Sequence, residues 1–152
     1  SGRGAFTLAL ADLLTPTAQI HSLDQDSEAL RIQREAFRAR FPDRNIQYHV
    51  ADFSQSLDLP PLDGIIMANA LHFIQDKKAV LRLLYSFLKA SGRLILVEYN
   101  TDKGNRWVPY PLSFSTWERL AGEAGFTRTR LMHTVSSSFL GQFYSSCSEK
   151  AP

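Results

Sequence analysis

Four short segments of this 152-residue chain carry residue types that can do chemistry on a ligand. Ser1-Gly2-Arg3-Gly4 is a glycine turn that runs straight into an apolar stretch. Glycines let a backbone approach a ligand closely. The free N–H groups and positive end of a following helix favour negative or polar groups. Asp24 closes a strand-like run, Ala18 to Leu23, with Gln25 beside it. An acid at that strand tip can accept both hydroxyls of a ribose. Asp52-Phe53 and Asn69-Ala70-Leu71-His72-Phe73 each follow a further strand-like run. His72, Glu98 and Tyr99 are groups able to move a proton near strand tips.

These segments need a scaffold that brings strand tips together, and the periodicity supplies one. Phe6, Ala9, Leu10, Leu13 and Leu14 predict one apolar face of a helix over Gly4 to Leu14. Asp26 is the expected N-cap of a second helix reaching Arg40, with Arg31, Arg34, Arg38 and Arg40 outward as a solvated face. Asn45 to Val50 reads as a strand. Leu62 to Ala68 is nearly all apolar, as for a strand covered on both faces. A third helix is expected from about Asp76 to Lys89, with Gly92 as its C-terminal cap, and then a strand over Arg93 to Tyr99. Ser115 and Glu118 suggest a capping box for a fourth helix ended by Gly125. Two strands, Phe126 to Val135 and Phe139 to Glu149, joined through Ser136-Ser137-Ser138, must be antiparallel.

This alternation predicts an α/β fold, a mostly parallel sheet flanked by helices with a terminal antiparallel hairpin. In such a sheet the ligand lies at the C-terminal strand tips, where the four segments converge. A glycine turn of this kind normally follows a strand. None precedes Ser1, so upstream residues are expected to complete the sheet.

Composition narrows the partners. Net charge of +2 is weakly basic, and 44% hydrophobic content is ordinary for a globular domain, here read as a single domain over residues 1–152. Nucleic acid is disfavoured. No apolar run approaches a membrane span. Cys147 is the only cysteine, so no internal disulfide forms and a reducing, cytoplasmic compartment is the simpler reading. No metal is expected.

At these residues the chain resembles class I S-adenosylmethionine-dependent methyltransferases, which have a Rossmann-like fold. Ser1-Gly2-Arg3-Gly4 resembles the second half of that family's acidic-x-Gly-x-Gly-x-Gly motif. The resemblance implies that Gly2 and Gly4 line the cofactor S-adenosyl-L-methionine and that Asp24, with Gln25 adjacent, holds its ribose. It places Asp52 and Phe53 beside the adenine, and Asn69 and Ala70 beside the methionine portion. It also implies a small-molecule methyl acceptor, with an oligomer open. His72 and Tyr99 are then the catalytic candidates, as bases for the acceptor's proton. Phe73 and Trp107 are aromatic faces able to attract a sulfonium.

Some acceptors are argued against. The segment after the fourth strand reads Asn69-Ala70-Leu71-His72, unlike the Asn/Asp-Pro-Pro-aromatic motif of amino-directed nucleic-acid enzymes. Cys147 lies in the last strand, not where cytosine-C5 enzymes place their nucleophile. The irregular stretch Asn100 to Leu112 is either a lid over the acceptor or a packed surface loop.

Two other readings use the same residues. Gly2, Gly4 and Asp24 also suit a nicotinamide-dependent oxidoreductase, although no Tyr-x-x-x-Lys pair accompanies them. A catalytically inactive, methyltransferase-like interaction domain is the other. In that case Asp24 and Asp52 cap turns, and Asn69 and His72 support a loop.

Overall fold

The computed structural model describes residues 1–152. They form two compact units, 1–57 and 58–152.

In the first unit, α1 (Ala5–Leu13), β1 (Gln19–Asp24), α2 (Ser27–Arg40) and β2 (Asn45–Val50) follow one another. β1 and β2 pair in parallel, from Gln19 opposite Asn45 to Asp24 opposite Val50. Ala11, Ile20 and Phe37 make the core, with Leu8, Leu14, Phe41 and Ile46 packed around it. Asp26 caps α2 as expected, accepting from the N–H groups of Glu28 and Ala29. The expected apolar face of α1 is wrong by about one position. Thr7 and Ala11 are its buried residues, while Leu13 is 85% exposed and Phe6 is also exposed. The helix turns inward on small residues because its partner there is polar: the Thr7 hydroxyl accepts from Gln33 Nε2 at 2.7 Å.

The second unit contains β3 (Leu62–Ala68), a single 3-10 turn (Leu71–Phe73), α3 (Lys77–Phe87) and β4 (Leu88–Tyr99). It ends with α4 (Phe114–Glu123), β5 (Phe126–Ser137) and β6 (Gly141–Lys150). The sheet order is β3-β4-β6-β5. β3 runs parallel to β4, and β6 is antiparallel to both β4 and β5. Three strands therefore share one direction and β6 alone is reversed, as the alternation predicts. Leu94 and Leu96 of β4, Leu81 and Leu84 of α3, and Trp117 and Ala121 of α4 are all buried.

Four local expectations in this unit are corrected. Gly92 does not cap α3. The helix ends at Phe87, and Leu88 is already extended. Gly92 lies in a bulge of β4, where the β3 pairing steps from Leu62–Leu88 to Gly64–Arg93. A Cβ there would meet the Lys89 carbonyl oxygen at 2.9 Å, so close backbone approach is what favours glycine. The Ser115/Glu118 capping box is not used. Ser113 is the N-cap of α4, its hydroxyl accepting from Thr116 N–H, and Asp102 fixes Ser113 in place. The hairpin turn is Ser138-Phe139-Leu140 rather than the three serines, with Gly141 at φ 80°. β3, expected to be covered on both faces, is an edge strand of its sheet, and of its residues only Met67 is buried.

Candidate functional site

The glycine turn is built by conformations that side chains resist. Gly2 has φ 56° and Gly4 has φ 93°, both in the left-handed region that glycine enters without steric cost. A Cβ on Gly2 would meet nothing within 4 Å, so this part of the turn is open. A Cβ on Gly4 would lie 2.4 Å from Gln33 Cγ. Gln33 is fully buried and accepts from Ser22 Oγ at 2.7 Å while donating to Thr7. Ser22 Oγ also lies 2.9 Å from Ser1 Oγ. Sequence reading missed Gln33. Its signal was a glutamine on the inward stripe of α2, between Leu30 and Phe37.

Asp24 holds this turn from the tip of β1. Its Oδ2 accepts from the Ser1 nitrogen at 2.8 Å and from Gly2 N–H at 2.6 Å. Its Oδ1 accepts from Asp26 N–H at 2.9 Å. Burial pushes the Asp24 carboxyl up, but hydrogen bonds from the Ser1 nitrogen, Asp26 N–H and Gly2 N–H outweigh that and hold it below the usual carboxylate range. Three of roughly four lone-pair positions are occupied, which leaves Oδ1 able to accept one more donor. Asp52, at the tip of β2, accepts Ser54 N–H at 2.8 Å. Its pKa is lowered by Ser54, with help from the exposed Gln25 side chain. Phe53 is half-buried beside it. The structure thus brings Gly2, Gly4 and Asp24 together within residues 1–57, and sets the Gln25 side chain near Asp52.

In the second unit the organising group is Glu98, fully buried on β4. Its Oε1 accepts from the N–H groups of Ala70, Leu71 and His72 at 3.1, 2.9 and 3.2 Å. Its Oε2 lies 2.7 Å from His72 Nδ1. A carboxylate accepts only, so the Nδ1 proton belongs to His72, and in the neutral ring the lone pair sits on Nε2. Asn69 enters this turn at φ 51°, a conformation asparagine tolerates better than most residues. Tyr99 stacks on Phe143 at 4.1 Å between ring centroids and lies 6.2 Å from the His72 ring. Here Asn69, Ala70, His72 and Tyr99 do come together.

The 100–112 stretch is tied to this turn through its backbone. Tyr110 N–H donates to the His72 carbonyl at 3.0 Å. The buried Lys77 ammonium donates to the carbonyls of Ile74 and Tyr110 at 2.7 and 2.8 Å. Burial lowers the Lys77 pKa, and the charge of Glu98 opposes that shift. Phe73 and Trp107 are both exposed.

A family profile described as "Methyltransferase domain" matches residues 1–139. The chain belongs to the methyltransferase domain family. A ubiquinone/menaquinone biosynthesis C-methyltransferase, UbiE, of Pasteurella multocida is 30% identical over 101 residues, covering 65% of this chain and 37% of that protein. The chain therefore spans little more than a third of that relative. Among solved structures, the CurJ carbon methyltransferase has a TM-score of 0.80 at 23% identity, over 99% of this chain and 46% of that one. N-methyltransferase NodS of Bradyrhizobium japonicum, in complex with S-adenosyl-L-homocysteine, has a TM-score of 0.77 at 16% identity, over 99% and 74%. At these identities the structures establish the fold, which is the Rossmann-like methyltransferase fold. Membership of the methyltransferase family sets the nicotinamide-dependent reading aside. No helix is long and apolar enough to cross a membrane.

Proposed function

We propose that this methyltransferase-family chain moves a methyl group from S-adenosyl-L-methionine to a small-molecule acceptor, at a carbon made nucleophilic by loss of its proton to His72. The observation that carries the reading is the Glu98–His72 pair. A fully buried carboxylate fixes one imidazole nitrogen as a donor and leaves the other with its lone pair. Such a pair is a general base with its tautomer already set. A carbon acid has no free lone pair until deprotonated, so it needs this base more than an amine does. The relative from Pasteurella multocida, a C-methyltransferase, supports the same acceptor atom.

The residues fit the cofactor. Gly2 leaves room above the turn, Asp24 keeps one acceptor position, and Asp52 and Phe53 offer an acceptor and a ring face. Gly2, Gly4, Asp24 and Gln25 would hold the ribose and methionine ends, Asp52 and Phe53 the adenine, and Asn69 and Ala70 the methionine portion. When bound, the cofactor supplies an activated methyl on a sulfonium. His72 Nε2 takes the acceptor's proton and becomes imidazolium, and Glu98 keeps the ring oriented and balances its charge. Tyr99 serves as a second polar group beside His72. The protein's remaining task is positioning.

Residues 1–152 are read as one domain, acting in the cytoplasm with its lone Cys147 buried and reduced. Its methyl acceptor is a small molecule rather than a nucleic acid.

Calorimetry with S-adenosylhomocysteine tests the cofactor, with NAD as control. Micromolar binding of the first alone is expected, and binding of neither would return Asp24 and Asp52 to capping. His72→Gln tests the base. It should leave that binding within about twofold and lower transfer to a carbon acid by about 10²-fold or more.

A further inference from the structure

The four outward arginines of α2 are not alike. Arg31 pairs with Glu28 and Glu35, and Arg40 pairs with Asp12. Arg34 and Arg38, one turn apart on the same face, have no acidic partner and donate no hydrogen bond. They line a cleft of about 510 Å³ between α2 and β2, together with Arg44, Gln47, Tyr48 and His49. Arg44 is already engaged, donating to the carbonyls of Ala11, Leu14 and Thr15. His49 is engaged with His21, ring nitrogen to ring nitrogen at 3.1 Å. The Arg34 guanidinium lies over the Tyr48 ring, 4.9 Å from its centroid.

The Tyr48 hydroxyl makes this more than a charged surface. It is buried and has no hydrogen-bond partner. Its neighbour Arg34 carries only donors, because a guanidinium has no lone pair to offer. A buried hydroxyl without a partner costs free energy. Neither guanidinium nor the hydroxyl has an acceptor in contact, and the acceptor that matches all three is an oxyanion with several lone pairs and more than one negative charge. We propose that Arg34, Arg38 and Tyr48 form a phosphate-binding site on the α2–β2 face. It shares no residue with the proposed methyl-transfer machinery, and it does not depend on that reading. Two guanidiniums balance a phosphate dianion, and fork-shaped donors suit its oxygens. The ligand class is a free phosphate or a phosphate ester.

The test is a nuclear magnetic resonance titration of the full chain with inorganic phosphate at constant ionic strength, read at the Arg34 and Arg38 Nε–Hε resonances. Saturable shifts are expected. The double substitution Arg34→Gln/Arg38→Gln should weaken binding by about tenfold or more, as loss of charge-assisted hydrogen bonds implies. Arg31→Gln should leave it unchanged. Tyr48→Phe has a paired signature. It should weaken phosphate binding by roughly two- to tenfold, yet raise the melting temperature of the phosphate-free protein, because it removes an unpartnered buried hydroxyl. Shifts that chloride reproduces, or that survive the double substitution, would overturn the site. So would a Tyr48→Phe variant with a lowered melting temperature. Acetate saturating the same resonances as tightly as phosphate would overturn the phosphate assignment in favour of a carboxylate.

Discussion

Each unit of this chain uses one strand-borne carboxylate to gather the backbone N–H groups of a neighbouring turn. In the first unit Asp24 gathers Ser1, Gly2 and Asp26. In the second Glu98 gathers Ala70, Leu71 and His72. The arrangements differ in burial. The Asp24 side chain keeps 22% of its surface exposed, whereas that of Glu98 keeps none. A partly exposed carboxylate with a spare lone pair can share itself with a ligand. A fully buried one, with four donors already around it, can only hold structure and orient His72. The same chemical device thus serves binding in one place and preorganisation in the other.

Breaking the buried arrangement should have the larger effect. Glu98→Ala leaves the N–H groups of Ala70, Leu71 and His72, the last two buried, and His72 Nδ1–H without an acceptor, so a loss of roughly 3–5 kcal/mol is expected. Urea denaturation measures it. A loss under about 1 kcal/mol would mean the 70–72 turn is held by something other than Glu98.

Next comes the glycine turn. Gly4→Ala combines a left-handed φ with a Cβ 2.4 Å from Gln33 Cγ, and should cost about 2 kcal/mol or more. Gln33→Ala in the same chain should return part of that loss, because the two sites share one space and their effects are not additive. Strict additivity in the denaturation series would detach Gln33 from the turn.

The exposure of Asp24 also makes a pH prediction. Its folded pKa lies below the ordinary 3.8, held there in part by the N–H groups of Asp26 and Gly2. The charged form is the one the fold favours, so its contribution is present above about pH 4 and is lost as pH falls through the lowered folded value. Acid unfolding should show this window, and Asp24→Asn should remove it while weakening S-adenosylhomocysteine. A variant with an unchanged acid transition would show that the Asp24 hydrogen bonds add no stability.

Sequence alone read the order of elements, the Asp26 cap and the strand tips well, because each rests on local periodicity and local side-chain chemistry. Errors came where a tertiary partner decided. The inward face of α1 follows Gln33, a residue on another helix, rather than its own leucines. Gly92 answers to a bulge set by the β3 register, and Ser113 outcompetes Ser115 as a cap because Asp102 fixes it. His72 was legible as a proton-moving group. Its pairing with Glu98 was not, because 26 residues of sequence separate them and only the β3–β4 pairing closes that gap. Arg34 and Arg38 looked the same as Arg31 and Arg40, since the presence of an acidic partner depends on geometry.

The smallest effect is expected at Asn69, where the second turn departs from β3. Its φ of 51° is left-handed, and its N–H donates to the Val97 carbonyl at 3.0 Å. Glycine adopts that conformation freely and keeps the N–H, so Asn69→Gly should change stability by no more than about 0.5 kcal/mol. A β-branched residue cannot, and Asn69→Val should cost about 1–2 kcal/mol. Together the two variants separate backbone need from side-chain chemistry. If Asn69→Gly leaves stability intact but weakens S-adenosylhomocysteine several-fold, the Asn69 side chain reaches the cofactor. If binding is also intact, the backbone conformation is the whole reason for asparagine here, and within the second turn binding rests on Ala70 and the groups that Glu98 holds.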